Sequence, residues 1–287
     1  MKGNRRLTGV LMGLILAAGC AEGGATQAEP AATATSRSSS PGGARSAPAA
    51  SPTPRAALPR PGEVGRIPMP ANGVPVISMI PTKRKVVFLT IDDGWEQDPG
   101  FLKQVRDEGI PITVFAMRDA VEAKGSPDAA SGGGRYVGAG QWDYFRNLRD
   151  AGAPIENHTF THPNLWTLGY DRQKAEICGM STLIRKETGR RPTLFRPPFG
   201  NHNAATSRAA TECGIKAIMM WSATVQPEGK IAYQVPDKQL RPGDILLLHF
   251  RPNLSRDFRI LVNKIKRRGF ELGDLHAYLK AGGVPVS

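Results

Sequence analysis

Between residue 86 and residue 280, short apolar runs alternate with helical segments about seven times. The first run, 86–91 (Val-Val-Phe-Leu-Thr-Ile), has almost no polar alternation. A strand of that kind is buried on both faces, which demands a parallel sheet covered by helices. Further runs at 112–116, 154–157, 194–196, 215–221, 244–250 and 270–272 read as strands. Segments 98–108, 142–150, 171–188, 203–213, 257–268 and 274–280 read as helices, most of them stopped by a glycine such as Gly109, Gly189, Gly214 or Gly269. The alternation predicts an α/β fold built as a (β/α) barrel. A doubly wound open sheet is the alternative, but no Gly-rich phosphate loop follows any strand.

The rest of the chain is organised differently. Residues 1–19 carry Lys2, Arg5 and Arg6, then an apolar run too short to span a bilayer, which reads as a secretory signal. Leu16-Ala17-Ala18-Gly19-Cys20 resembles a bacterial lipoprotein box, although the family pattern prefers Leu where Ala17 stands. That resemblance implies cleavage before Cys20, a lipid on its sulfur, and anchoring at the outer face of the cytoplasmic membrane. An ordinary signal peptide and a secreted protein are the alternative. Residues 20–66 are rich in Ala, Ser, Thr, Pro and Gly and read as a disordered tether. Residues 67–287 then form the folded domain, with 68–81 as an irregular lead-in and the polar stretch 124–140 as a surface insertion. The net charge of +13 suits an anionic wall or membrane face. The basic residues are dispersed and no nucleic-acid module is visible, so nucleic acid is not expected as a partner. With Cys20 set aside, Cys178 and Cys213 remain as a pair, either bonded or buried as free thiols.

Four motifs end predicted strands: Thr90-Ile91-Asp92-Asp93-Gly94, His158-Thr159-Phe160-Thr161-His162, Arg196-Pro197-Pro198-Phe199-Gly200 and Leu246-Leu247-Leu248-His249. Barrels place their active sites at those strand ends. His158 and His162 are four apart, so one helical turn would aim both imidazoles the same way. Two imidazoles and one carboxylate form an open-site ligand set for zinc. Adjacent acids at the tip of an apolar strand need partners, and one division gives Asp93 to the metal and leaves Asp92 as a base. A metal and the Arg196 guanidinium would both favour the ionised carboxylate. Taken alone, Asp92-Asp93-Gly94 would read as a turn and the two histidines as local caps. Together the set suits metal-assisted hydrolysis.

These four motifs resemble those of the polysaccharide deacetylases of carbohydrate esterase family 4, over about residues 85–279, the span called the NodB homology domain. The resemblance implies a distorted (β/α) barrel of seven or eight parallel strands. It implies Asp92 as general base, Asp93, His158 and His162 as ligands of a divalent metal (most often Zn2+, with Co2+, Ni2+ or Mn2+ as alternatives), and Arg196 as the group that holds Asp92. It implies oxyanion stabilisation by the Phe199 N–H, His249 as general acid, and a pocket formed with Leu247 and Trp221. One departure stands out. The family's fourth motif places an Asp three positions after a Trp, and here Trp221 is followed by Thr224. Loss of that carboxylate lets the His249 pKa fall toward or below its reference. Asp237 is a possible substitute; Asp244, five positions before His249, should point to the opposite face of a regular strand.

The expected function is removal of N-acetyl groups from a cell-wall or chitin-like polysaccharide by a monomer whose partner is the acetylated glycan. An O-acetyl esterase on xylan or a similar glycan, and a weakly active wall-binding homologue, are the alternatives. His202 is read as a loop or cap residue, His276 as a surface residue, and Phe115 and Met117 as core. Trp95, Trp142 and Trp166 are left open between sugar stacking and packing.

Overall fold

The apolar strands end in one curled, mostly parallel sheet of ten strands. The computed structural model describes residues 56–125, 134–234 and 236–287. In chain order the elements are β1 (Val76–Ile77), β2 (Val86–Asp93), α1 (Pro99–Glu108), β3 (Thr113–Ala116), α2 (Arg118–Val121), α3 (Gln141–Asp150), β4 (Ile155–Asn157) and α4 (Tyr170–Thr188). There follow β5 (Leu194–Phe195), α5 (Ala204–Glu212), β6 (Ala217–Met219), β7 (Ala223–Gln226), β8 (Lys230–Tyr233), β9 (Ile245–His249), α6 (Leu254–Arg267), β10 (Glu271–Leu272) and α7 (Leu275–Ala281). The strand order is β1-β6-β5-β4-β3-β2-β9-β7-β8, with β10 beside the start of β2. Among the described strands only β7 and β8 pair antiparallel. The path has two ends, so the sheet is the distorted, incompletely closed barrel that the resemblance implies.

Side-chain alternation splits the packing into two cores. Val87, Leu89 and Ile91 of β2, with Leu246 and Leu248 of β9, pack outward against Phe101, Phe145, Phe258 and Leu261 of the helices. Val86, Phe88, Phe115, Leu194 and Met219 pack inward and are covered from below by Leu275, Tyr278 and Leu279 of α7. The upper inner positions are polar, and they carry the chemistry. Helix starts are set by local chemistry. Asp98 accepts from Gly100 N–H (2.7 Å) at the start of α1 and from Ser255 N–H (2.9 Å) at the start of α6, so one carboxylate caps two helices.

Several expectations change. The described part of the expected tether, 56–66, lies on the domain: Ala57 bridges Gly273 and Val64 bridges Thr82. A few backbone bonds and small apolar anchors hold it, and an averaged composition hides them. The lead-in contributes an edge strand, β1, which runs parallel to β6. Beyond it Ile80 N–H donates to Gly243 O (2.9 Å), an approach so close that a Cβ on Gly243 would meet Ile80 O at 1.9 Å. The β7–β8 hairpin is not legible in the sequence because its short apolar pieces are broken by the polar stretch 226–230 and β8 is an edge strand with only one face covered. The signal segment 1–19, Cys20 and the tether up to residue 55 lie outside the described residues, as do 126–133 of the insertion. Among the described residues no helix is long and apolar enough to cross a membrane.

Cys178 of α4 and Cys213 after α5 are bonded, with Cα atoms 4.8 Å apart and a sequence separation of 35. Closing a loop of that length removes up to about 4 kcal/mol of unfolded-state freedom in the chain-entropy account. Replacing both by Ser is expected to lower the melting temperature by roughly 10 °C. Calorimetry on oxidised wild type and the double variant checks it, and equal melting temperatures would contradict it.

Candidate metal centre and active site

Pleating alone would send the neighbours Asp92 and Asp93 to opposite faces of β2. Asp92 points inward with Thr90. Asp93 has φ 81°, a left-handed turn at the strand tip that breaks the alternation. As a result both carboxylates reach the same imidazole: His158 Nε2 lies 3.7 Å from Asp92 Oδ2 and 3.6 Å from Asp93 Oδ1. His162 Nε2 lies 3.7 Å from the same Asp93 oxygen.

The two histidines converge without the expected helical turn. Residues 158–164 form a loop in which Thr159 (φ 71°) and His162 (φ 56°) are left-handed. For a β-branched threonine this is a strained backbone, maintained only where the surroundings hold it. They do. Thr159 N–H donates to Asn157 Oδ1 (2.9 Å), and His162 N–H to Thr159 Oγ1 (3.2 Å). The Glu176 carboxylate of α4 accepts from Phe160 N–H (2.9 Å), Thr161 N–H (3.0 Å) and Thr161 Oγ1–H (2.8 Å). Phe160 lies so close over α4 that a Cβ on Gly179 would meet its ring at 2.1 Å. Nothing in the sequence marked Glu176, Asn157 or Gly179 for this role, since each sits in an ordinary element with no motif around it.

Arg196 is fully buried on the inner face above Leu194. Its Nη1 donates to Asp92 Oδ1 (2.7 Å) and Thr90 Oγ1 (2.9 Å), its Nε to Met219 O (3.0 Å) and its Nη2 to Met220 O (3.2 Å). The guanidinium lies over Phe115, 4.3 Å from the ring centroid, and near Trp221 at 5.6 Å. Burial raises the Asp92 pKa, and the charges of Arg196 and His249 oppose that rise. A carboxylate whose proton affinity is raised by burial while Arg196 holds it in place suits the role of proton acceptor.

The residues fit a metal. Asp93, His158 and His162 each offer one donor atom, all within 4.8 Å of one another. Bonds of about 2.0–2.2 Å at tetrahedral angles hold donors roughly 3.3–3.5 Å apart, close to the 3.6 and 3.7 Å from Asp93 to the two imidazoles. His158 donates from Nδ1 to the Arg196 carbonyl (2.7 Å), which leaves Nε2 with its lone pair facing Asp93. Burial, aided by the charge of His162, drives the His158 pKa down to about 3, so the ligand is neutral at any working pH. A depressed folded pKa means that the unfolded chain takes up this proton first. Stability of the metal-free protein is therefore intact above about pH 6.5 and falls, by up to about 1.4 kcal/mol per unit for this group, as pH drops toward 3. Urea titrations of metal-free wild type and His158→Gln across that range check it; identical slopes would contradict it.

The remaining predicted residues sort clearly. His249 pairs in register with Asp92 across β2 and β9, and Leu247 pairs with Thr90, so both line the inner face beside the acids. Phe199 is left-handed (φ 58°), and its ring centroid is 4.7 Å from that of His162. Trp221 is half-buried beside Arg196. No carboxylate replaces the missing fourth-motif acid: among the described residues none forms an ion pair with His249. Asp237 is exposed and accepts from Gln239 Nε2–H (2.8 Å). Asp244 is buried and accepts from Ser222 Oγ–H (2.8 Å) and from Arg241 N–H (2.7 Å) and Nη2–H (3.0 Å). Trp95 and Trp142 are core residues, as are Phe115 and Met117. His276 is not a surface residue. Glu156 faces the barrel interior, where its other oxygen takes the Thr193 and Leu194 amides, and it accepts from His276 Nε2–H (2.8 Å). The sequence hides that pair because the partners are 120 residues apart.

Comparison with known proteins agrees with this geometry. Residues 80–218 match the family model described as polysaccharide deacetylase. An uncharacterized protein of Streptomyces coelicolor is 37% identical over 209 residues, covering 71% of this chain and 77% of that protein. The peptidoglycan-N-acetylmuramic acid deacetylase of Bacillus subtilis is 28% identical over 185 residues, covering 61% of this chain and 63% of its own length. Among solved structures, a family 4 carbohydrate esterase pseudoenzyme of Bacillus anthracis superposes with a TM-score of 0.57 at 21% identity, over 71% of this chain and 68% of that one. That likeness shows the fold alone. Motifs, fold and family match together place this chain among the polysaccharide deacetylases of carbohydrate esterase family 4.

Proposed function

We propose that this protein removes N-acetyl groups from an amino-sugar polysaccharide, either peptidoglycan or a chitin-like polymer, with a divalent metal, zinc by donor chemistry, held by Asp93, His158 and His162. The observation that carries this reading is the division between the two acids. Asp92 is tied to Arg196 at 2.7 Å, whereas Asp93 faces both imidazoles at 3.6 and 3.7 Å. One acid is thereby kept for proton transfer and the other for a cation.

When bound, a divalent cation supplies Lewis acidity and lowers the pKa of water. The chain's own groups do the rest. Asp92 Oδ2, free of the Arg196 bond, takes the proton of the attacking water as its oxygen adds to the amide carbon. The Phe199 N–H donates to the oxygen that gains charge. His249, across from Asp92, gives a proton to the leaving nitrogen as the C–N bond breaks, which yields acetate and a free amine. Leu247 borders the space for the acetyl methyl.

One observation favours a second reading. Among the described residues His249 forms no ion pair with a carboxylate, and Thr224 stands where the family's fourth motif has one. An alkoxide leaves more easily than an amine and depends less on a strong acid. Paired assays of acetate release from N-acetylated chitin oligomers and from O-acetylated xylan decide between them. Chelator-sensitive release from the N-acetyl substrate is expected. Release from the O-acetyl substrate alone would replace the first reading by the second.

A further inference from the structure

The chain has four tryptophans, and they are treated very differently. Trp95 and Trp142 are buried and Trp221 is half-buried, whereas Trp166 is 61% exposed. An exposed indole is normally free to move, but this one is fixed. Its Nε1–H donates to His202 O at 2.7 Å. Its backbone N–H donates to Asn164 Oδ1 (3.2 Å), which also accepts from Asn201 Nδ2–H (3.1 Å). Leu165, the residue before it, is fully buried and pins the turn. Trp166 is therefore stitched to two loops at once: the one that carries the metal-facing His162 and the one that follows Phe199.

Phe199 is equally exposed, at 61%, and stacks edge-on against His162 with ring centroids 4.7 Å apart. The Phe199 ring thus stands bare beside a metal-facing histidine, and Trp166, bonded to His202 O in the segment that follows Phe199, presents a second bare aromatic face. The indole has its polar N–H already satisfied by the protein. What it leaves to solvent is ring surface. An aromatic face of this kind matches the C–H face of a pyranose ring, which buries apolar area while its hydroxyls stay wet. Keeping the ring in one orientation beforehand lowers the ordering cost of binding.

We infer that Trp166 is a sugar-stacking platform: it holds a pyranose ring next to the residue being deacetylated and so sets a preference for oligomers over single sugars. This rests on the deacetylase reading above, and the experiment separates the two. Chitohexaose is the probe, titrated by calorimetry into zinc-loaded Asp92→Asn protein, with and without Trp166→Ala or Trp166→Phe. The expected result is a Kd at least about tenfold higher for Trp166→Ala. Trp166→Phe should stay within about threefold, because a phenyl face remains. Zinc content of the Trp166→Ala protein should match wild type, since Asp93, His158 and His162 are all retained. Equal Kd values with and without the indole, or no chitohexaose binding in either protein, would overturn the platform. Acetate release from chitohexaose by the unmutated chain is the independent readout. If binding depends on Trp166 but no acetate appears, the platform stands and the deacetylase reading falls.

Discussion

Asp92→Asn is expected to lower acetate release at least about a thousandfold while the zinc content per chain stays at the wild-type level. The two outcomes separate because the structure separates the acids. Asn is isosteric with Asp, and its Oδ1 can still accept from Arg196 Nη1, a bond of 2.7 Å in the native pair. The fold should therefore survive. Asp93, His158 and His162 are untouched, so the donor set is intact. What disappears is the oxygen that faces His158 at 3.7 Å and can receive a proton. A thousandfold loss corresponds to about 4 kcal/mol of transition-state stabilisation. Turnover within a few fold of wild type would remove Asp92 from the mechanism. Loss of zinc would show that the acids are not divided as described.

Arg196→Met is expected to damage both stability and turnover. The guanidinium is fully buried and makes four hydrogen bonds, to Asp92, Thr90, Met219 O and Met220 O. Taking one partner from a buried pair leaves the other charge without compensation and costs about 3–5 kcal/mol. For a domain of this size that is a fall of roughly 10 °C in melting temperature. Asp92, no longer oriented, should lose about a hundredfold or more in turnover. Arg196→Lys should recover little of either, since an ammonium cannot reproduce the planar fork that meets two carbonyls and a carboxylate together. Thermal melts and acetate release on both variants test this. An Arg196→Met protein as stable as wild type would show that burial, not pairing, decides the energetics here.

The chain announced its chemistry more clearly than the geometry that assembles it. The β2 run was legible because two-sided burial leaves no polar alternation, and the acids that follow it stand out against that background. His158 and His162 were legible as a pair, but their spacing pointed to a helical turn. The actual device is a strained loop, and its restraints come from Glu176 and Asn157, residues that carry no local signal. Short edge elements such as β1 and β8 were missed because two to four residues with one covered face leave no periodicity to read. The opposite failure occurred at Asp237. Its position in sequence made it a candidate partner for His249, yet an exposed loop carries it out to Gln239. The depth of His276 was equally unreadable, because it depends on Glu156 turning inward from a strand far away in sequence.

Metal dependence tests the central claim most directly. Acetate release from chitin oligomers, measured before chelation, after it, and after zinc is returned, should fall to background and then recover, with one zinc per chain in wild type and none in His162→Ala. Undiminished release from metal-free protein, or full zinc retention by His162→Ala, would contradict the account.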